Sequence, residues 1–196
     1  MDKRPKKGIG GVGLNQYIRV PIKLLWSHVL FVILTLVFMP VFGWLIQKEN
    51  GLLIFSCIIS VLYFLLIYSD VWQVAHKDSK PYSTTKPYVL KGALFGLLAS
   101  IVTIIIAVLF FVARSGSLNF DIINPIYRVW MSMFLGFFET YGQTYPWVFA
   151  LVVLVLPLAS FLGYLAGMYN FSIQEKIAML FNRTANKNNT NHNKKS

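Results

Sequence analysis

Four long apolar runs separated by short polar stretches dominate this chain. The first, 24–46, lies in the gap between Lys23 and Lys48, which contains no charged residue. The second, 52–72, begins after Glu49 and meets its first charge at Asp70. The third, 92–113, is bounded by Lys91 and Arg114, and the fourth, 147–169, lies in the charge-free stretch before Glu175. A hydrocarbon core about 30 Å thick needs about 20 apolar helical residues to cross it, and all four runs are long enough. The pattern predicts an all-α fold: a four-helix transmembrane bundle with an outer interfacial helix between spans 3 and 4.

The third run shows the size of the effect. Between Leu94 and Val112 it holds 14 Leu, Ile, Val and Phe residues. At about −0.3 to −0.6 kcal/mol each near the bilayer centre, these contribute roughly −4 to −8 kcal/mol as an upper figure. No central Asp, Lys or Arg opposes them. The first run is longer than the about 7–15 residues of a signal-peptide core, and 41–46 offers no small-residue cleavage site, so it reads as an uncleaved anchor.

The connecting segments divide unequally in charge. Lys3, Arg4, Lys6, Lys7, Arg19 and Lys23 precede the first span, and Lys77, Lys80, Lys86 and Lys91 join the second to the third. Lys176, Arg183, Lys187, Lys194 and Lys195 follow the fourth, so one side carries 15 basic residues and the other has only Lys48, Arg114 and Arg128. The positive-inside rule then places both termini in the cytoplasm.

Composition supports the membrane reading. Of 196 residues, 56% are hydrophobic and only 13% charged, against about 25% charged in a soluble domain. That is too little charge to coat a water-facing surface. The net charge of +11 follows from the basic inner segments, whose partners are the lipid bilayer and its anionic lipid headgroups; nucleic acid is not called for.

Outside the spans, 1–23 forms a basic, glycine-containing cytoplasmic arm, flexible over its first 18 residues. Gly8, Gly10 and Gly13 match G-x-G-x-x-G, but a dinucleotide site needs a preceding strand and a βαβ unit, and here a charged terminus precedes. Between spans three and four, Asn124-Pro125 has the form of a helix start. Residues 125–141 then carry Tyr127, Trp130, Phe134, Phe137, Phe138 and Tyr141, which reads as a helix lying on or dipping into the outer interface. After 171, Ser172 and Glu175 form a capping box for a short surface helix, followed by an Asn- and Lys-rich tail that reads as disordered from about 185.

Candidate chemistry is sparse. Cys57 is the single cysteine and, lying in an apolar run, reads as a small buried residue. His28 has no second ligand at helical spacing and reads as a hydrogen-bonded helix contact. No catalytic, cofactor-binding or metal set is expected, and the chain reads as non-enzymatic. The best polar cluster is Asp70, Lys77, Asp78 and Lys91 at the inner membrane edge. There a carboxylate calls for a cationic partner, and Lys77 or Lys91 could supply it. Small residues recur four apart, at Gly92, Gly96 and Ser100 on the third span and Ala159, Gly163 and Gly167 on the fourth. Such stripes let backbones approach closely; the expectation is that these two spans pack on each other, a homo-oligomer seam being the alternative. Pro40 and Pro157 predict kinks.

Trp72 with Lys77-Asp78, then Lys91-Gly92 and Gly96, resembles a group of small four-span integral membrane proteins of Firmicutes. So does Asn124-Pro125 with Tyr127-Arg128, and Gly163-Tyr164 with Gly167. The likeness covers most of 60–180. It implies a bacterial plasma membrane and assigns no activity. From the residues alone, the expected role is a subunit or envelope accessory protein acting through helix packing and a basic cytoplasmic face, alone or with a membrane-complex partner. A transport component for a small or apolar solute is the alternative.

Overall fold

In the computed structural model, residues 9–83 and 85–169 are described, and among them every regular element is helical. Ile9–Val41 forms α1, Gly43–Ile46 the single turn α2, and Gly51–Asp78 α3. Lys91–Ala99 (α4) and Ile101–Arg114 (α5) follow, then Phe120–Trp130 (α6) and Leu135–Tyr141 (α7). Val148–Leu151 (α8) and Val155–Met168 (α9) come last. Asn15–Val41, Gly51–Asp78 and Val148–Met168 are each long and apolar enough to cross a membrane, and α4 with α5 makes a fourth if that bent pair is one span. The helix capped by Ser172 and the Asn-rich tail lie outside the described residues.

The first helix begins earlier than its sequence suggests. α1 runs from Ile9 through the glycine-containing arm, although each glycine in a helix interior costs about 1 kcal/mol relative to alanine. Tertiary contacts offset that cost. Gln16 donates to Asp78 at 3.0 Å and the Tyr17 hydroxyl to that of Tyr88 at 3.1 Å. Most helical stability in proteins comes from such packing rather than from propensity.

α3 is the central helix. Phe55, Ile59, Tyr63, Ile67, Val71 and Ala75 are all buried, one every four residues, which makes one continuous stripe along an α-helix. The opposite face is also apolar and exposed, with Ile54, Ile58, Val61 and Leu62. Cys57 lies exposed with them; its apolar surroundings face outward, which corrects the expectation of a buried thiol.

Two of these helical stretches are interrupted, each for a local reason. α4 and α5 meet at a 54° bend. At that bend the buried Ser100 hydroxyl donates to the Gly96 carbonyl at 2.8 Å, a back-bond that bends helices. α4 packs on α9 and α1, and beyond the bend α5 packs on α6. In the last span a 3-10 turn, Val152–Leu154, separates α8 from α9. Pro157 stands just after it; with no N–H to donate and its ring against the carbonyl four residues back, the regular ladder fails there.

The segment expected as one helix over 125–141 is instead a helical hairpin. Its first helix starts at Phe120, capped by Asn119, whose side chain accepts from the Asp121 N–H. Asn124 is no cap: it accepts from Arg128 Nε at 3.1 Å, and Pro125 lies inside the helix. The chain turns at 131–134, where Met131, Ser132, Met133 and Phe134 are all buried. Trp130 Nε1 donates to Thr103 Oγ1 at 3.0 Å, Ser60 Oγ donates to the Met133 carbonyl at 3.2 Å, and the Gly136 N–H donates to Ser56 Oγ at 2.7 Å. The Trp130 ring lies 4.9 Å from that of His28. Ser60 stands nine residues into α3, roughly 13 Å from its start at 1.5 Å per residue, so the hairpin apex sits deep among α1, α3 and α5.

The small-residue stripes divide between two neighbours of α9. A Cβ on Gly96 would lie 2.6 Å from Pro157 Cα, and one on Gly92 would run into Tyr164, so these glycines of α4 meet α9. Gly163 and Gly167 do not return that contact. A Cβ on Gly163 would lie 2.5 Å from the Tyr68 carbonyl oxygen, and one on Gly167 2.7 Å from Ala75 Cβ, both on α3. The last span is wedged between α3 and α4, and Ala159 is fully buried there.

Candidate functional site

Five segments converge on Asp78. It ends α3, and Lys91 opens α4. Each charge stands at the end of its helix that the macrodipole disfavours, an anion at a C-terminus and a cation at an N-terminus. Their mutual pairing accounts for the placement. Lys91 Nζ donates to Asp78 Oδ2 at 2.6 Å, and the two side chains are 2% and 4% exposed. This ion pair is removed from water, where partners and geometry decide whether it can exist at all.

The other partners close the site. Tyr164 of α9 donates its hydroxyl to Asp78 Oδ2 at 3.0 Å, and Thr85 Oγ1 donates to Oδ1 at 2.6 Å. Gln16 Nε2 of α1 reaches Oδ1 at 3.0 Å and Oδ2 at 3.2 Å. A carboxylate offers about four acceptor positions, and four side chains take them. Lys91 Nζ also lies 5.8 Å from the ring centre of Tyr17 and 5.9 Å from those of Phe95 and Tyr164, within the range of cation–π attraction. Gly92 makes the approach possible: Ser160 Oγ donates to its carbonyl at 2.6 Å, and a Cβ there would strike Tyr164.

No protein-family model, no curated protein and no solved structure matches this chain. Its chemistry is therefore read from its own residues.

The four residues of the expected polar cluster divide. Asp78 and Lys91 pair with each other. Asp70 is held by Lys23 of α1 at 2.7 Å and by Ser27 at 3.3 Å, not by Lys77 or Lys91, because α1 passes along that side of α3. Lys77 is exposed. Gln16, Thr85 and Tyr164 were not legible as site residues; the one signal was a tyrosine in an apolar span, whose hydroxyl needs a partner once buried. His28 meets the Tyr63 hydroxyl through Nδ1 at 2.9 Å.

Chemically, this arrangement fastens helices to one another. The Asp78 oxygens are all engaged, and among the described residues no group of three or more His, Cys, Asp or Glu could hold a metal ion. A polar network centred on Asp78 ties α1, α3, α4 and α9 to the α3–α4 connection in one arrangement; within it only the Gln16 Oε1 is buried without a partner.

Proposed function

We propose that this chain is a non-enzymatic multi-pass protein of a bacterial plasma membrane, a subunit or envelope accessory protein with both termini in the cytoplasm. The observation that carries the reading is the Asp78 network: its buried ion pair joins α3 to α4, and both carboxylate oxygens are taken by donors of this chain's own helices and connection. The outward faces remain apolar, with Leu30, Ile58 and Leu158 each more than half exposed, which suits a lipid environment. α4 and α5 together form the third span, broken at Ser100. The 120–141 hairpin enters from the outer side as a re-entrant element; irregular backbone is tolerated at membrane depth where protein surrounds it. Exposed Arg19, Lys77 and Lys86 belong to a basic cytoplasmic face directed at anionic headgroups.

The test is gentle solubilisation of tagged full-length protein from its native membrane, with mass spectrometry of what co-purifies. A stoichiometric partner supports a subunit role. Recovery of this chain with lipid alone, together with a saturable melting shift from an added solute, overturns it in favour of the second reading.

That second reading is a transport component for a small or apolar solute. It is favoured by an open groove of about 820 Å³ whose lining includes Cys57, Ser60, Phe64, Phe134, Tyr145 and Leu158 and is almost entirely apolar.

A further inference from the structure

The opposite end of the bundle from Asp78 holds a second cavity, of about 530 Å³, within the size range of small-molecule sites. Its wall includes Arg114, Arg128 and Asn124, and its floor is aromatic: Phe110, Phe138 and Phe149. The floor is rigid. Phe138 and Phe149 stack with centroids 4.6 Å apart, Phe110 lies 4.8 Å from Phe149, and all three rings are buried.

The cations are unevenly committed. Arg128 gives Nε to Asn124 and pairs through Nη1 with Glu139. Arg114 has no carboxylate partner among the described residues; its guanidinium carbon lies 6.0 Å from the centre of the Phe149 ring. A cation in the last turn of a helix suits the macrodipole, but that leaves the donor fork open. The positive-inside reading puts only Lys48, Arg114 and Arg128 on the outer side, and both of the arginines converge on this one cavity. Arginine presents a planar fork that matches carboxylate and phosphate oxygens two at a time.

We propose that this cavity binds an organic anion: a phosphate or carboxylate group held by Arg114, with Arg128 as the flanking cation, carried on an apolar body that rests on the phenylalanine floor. The anion is either a soluble solute or the headgroup of an outer-leaflet lipid, since both present the same chemistry.

Two arms separate these sources, both with full-length protein. In a maltoside micelle, phenyl phosphate is titrated by calorimetry, with inorganic phosphate and neutral benzyl alcohol as the half-ligand controls. In nanodiscs of phosphatidylcholine containing a minor fraction of phosphatidylglycerol, native mass spectrometry counts retained anionic lipid. The expected result in at least one arm is saturable one-site binding that falls tenfold or more in Arg114→Gln and several-fold in Arg114→Lys, while Lys48→Gln binds as the parent does. Arg114 is exposed, and the Lys variant keeps the charge if Gln disturbs folding. A phenyl phosphate response identifies a soluble ligand, and a response of phosphatidylglycerol alone identifies a headgroup. Absence of binding in both arms, binding unchanged in both Arg114 variants, or equal binding of benzyl alcohol overturns the proposal.

Discussion

Replacing Lys91 by Met removes one half of a buried ion pair while keeping most of the side chain's apolar volume. Asp78, 4% exposed, would then be a carboxylate without its cation, with Gln16, Thr85 and Tyr164 still donating to it. Breaking a buried pair in this way costs about 3–5 kcal/mol. Loss of a cation from the α4 N-terminus returns about 0.3–1 kcal/mol, leaving roughly 2–4.7 kcal/mol. At about 2–4 °C per kcal/mol for a chain of this size, the apparent melting temperature falls by about 4–19 °C. Asp78→Asn, which leaves Lys91 uncompensated, belongs in the same range. In the double variant neither charge remains, and Asn still accepts from the hydroxyls. Its cost is therefore at least about 2 kcal/mol smaller than the sum of the two singles, the signature of coupled sites. Fluorescence-detected size-exclusion after heating for a fixed time measures all four proteins on one scale, which matters where unfolding is irreversible. Strict additivity, or a Lys91→Met shift below about 2 °C, refutes the latch.

Three further outcomes follow from the packing. Gly163→Ala places a methyl against the Tyr68 backbone and should cost about 1–3 kcal/mol, as overpacking does; Gly43→Ala, with nothing within 4 Å, should change melting by less than about 0.5 kcal/mol. Gly96→Leu should loosen α4 from α9 more severely still, so an unchanged melting temperature would count against that seam. The hairpin is checked by thiol labelling in a Cys57→Ser background: Leu118→Cys, exposed, reacts with a membrane-impermeant maleimide, whereas Met131→Cys, at a position 1% exposed, stays unlabelled until the protein is unfolded.

The membrane-span pattern is legible in the chain because charge is rare and bounds the runs: Lys48, Lys91 and Arg114 mark ends without any appeal to tertiary contacts, whereas the first helix continues through Lys23. Which face of each helix turns inward is not legible. On α3 the buried Ile59 and the exposed Ile58 are the same residue type, since lipid and protein interior are both apolar and no polar face reports the outside. The glycine stripe on α9 shows the same limit: spacing reveals a close approach by Gly163 and Gly167, but not that α3 rather than α4 makes it. The Asp78 pair was half visible, as a carboxylate and lysines near a membrane edge. Its remaining members are Thr85 in the connection, Gln16, in a stretch that local propensity reads as flexible, and Tyr164, 86 positions away along the chain. The hairpin at 131–134 was hidden because Asn124-Pro125 imitates a helix start, while the true cap, Asn119, is followed by no such proline.

Topology is the property on which the functional reading most depends, and reporter fusions test it directly. Paired fusions of a cytoplasm-active and an export-active reporter go after Lys80, within 115–119 and after Asn182. Both termini inside, with α4 and α5 forming one broken span, require cytoplasmic activity at Lys80 and Asn182 and export activity at 115–119. If 115–119 reports the same side as Lys80, α4 and α5 do not cross the membrane, and the four-span arrangement is wrong.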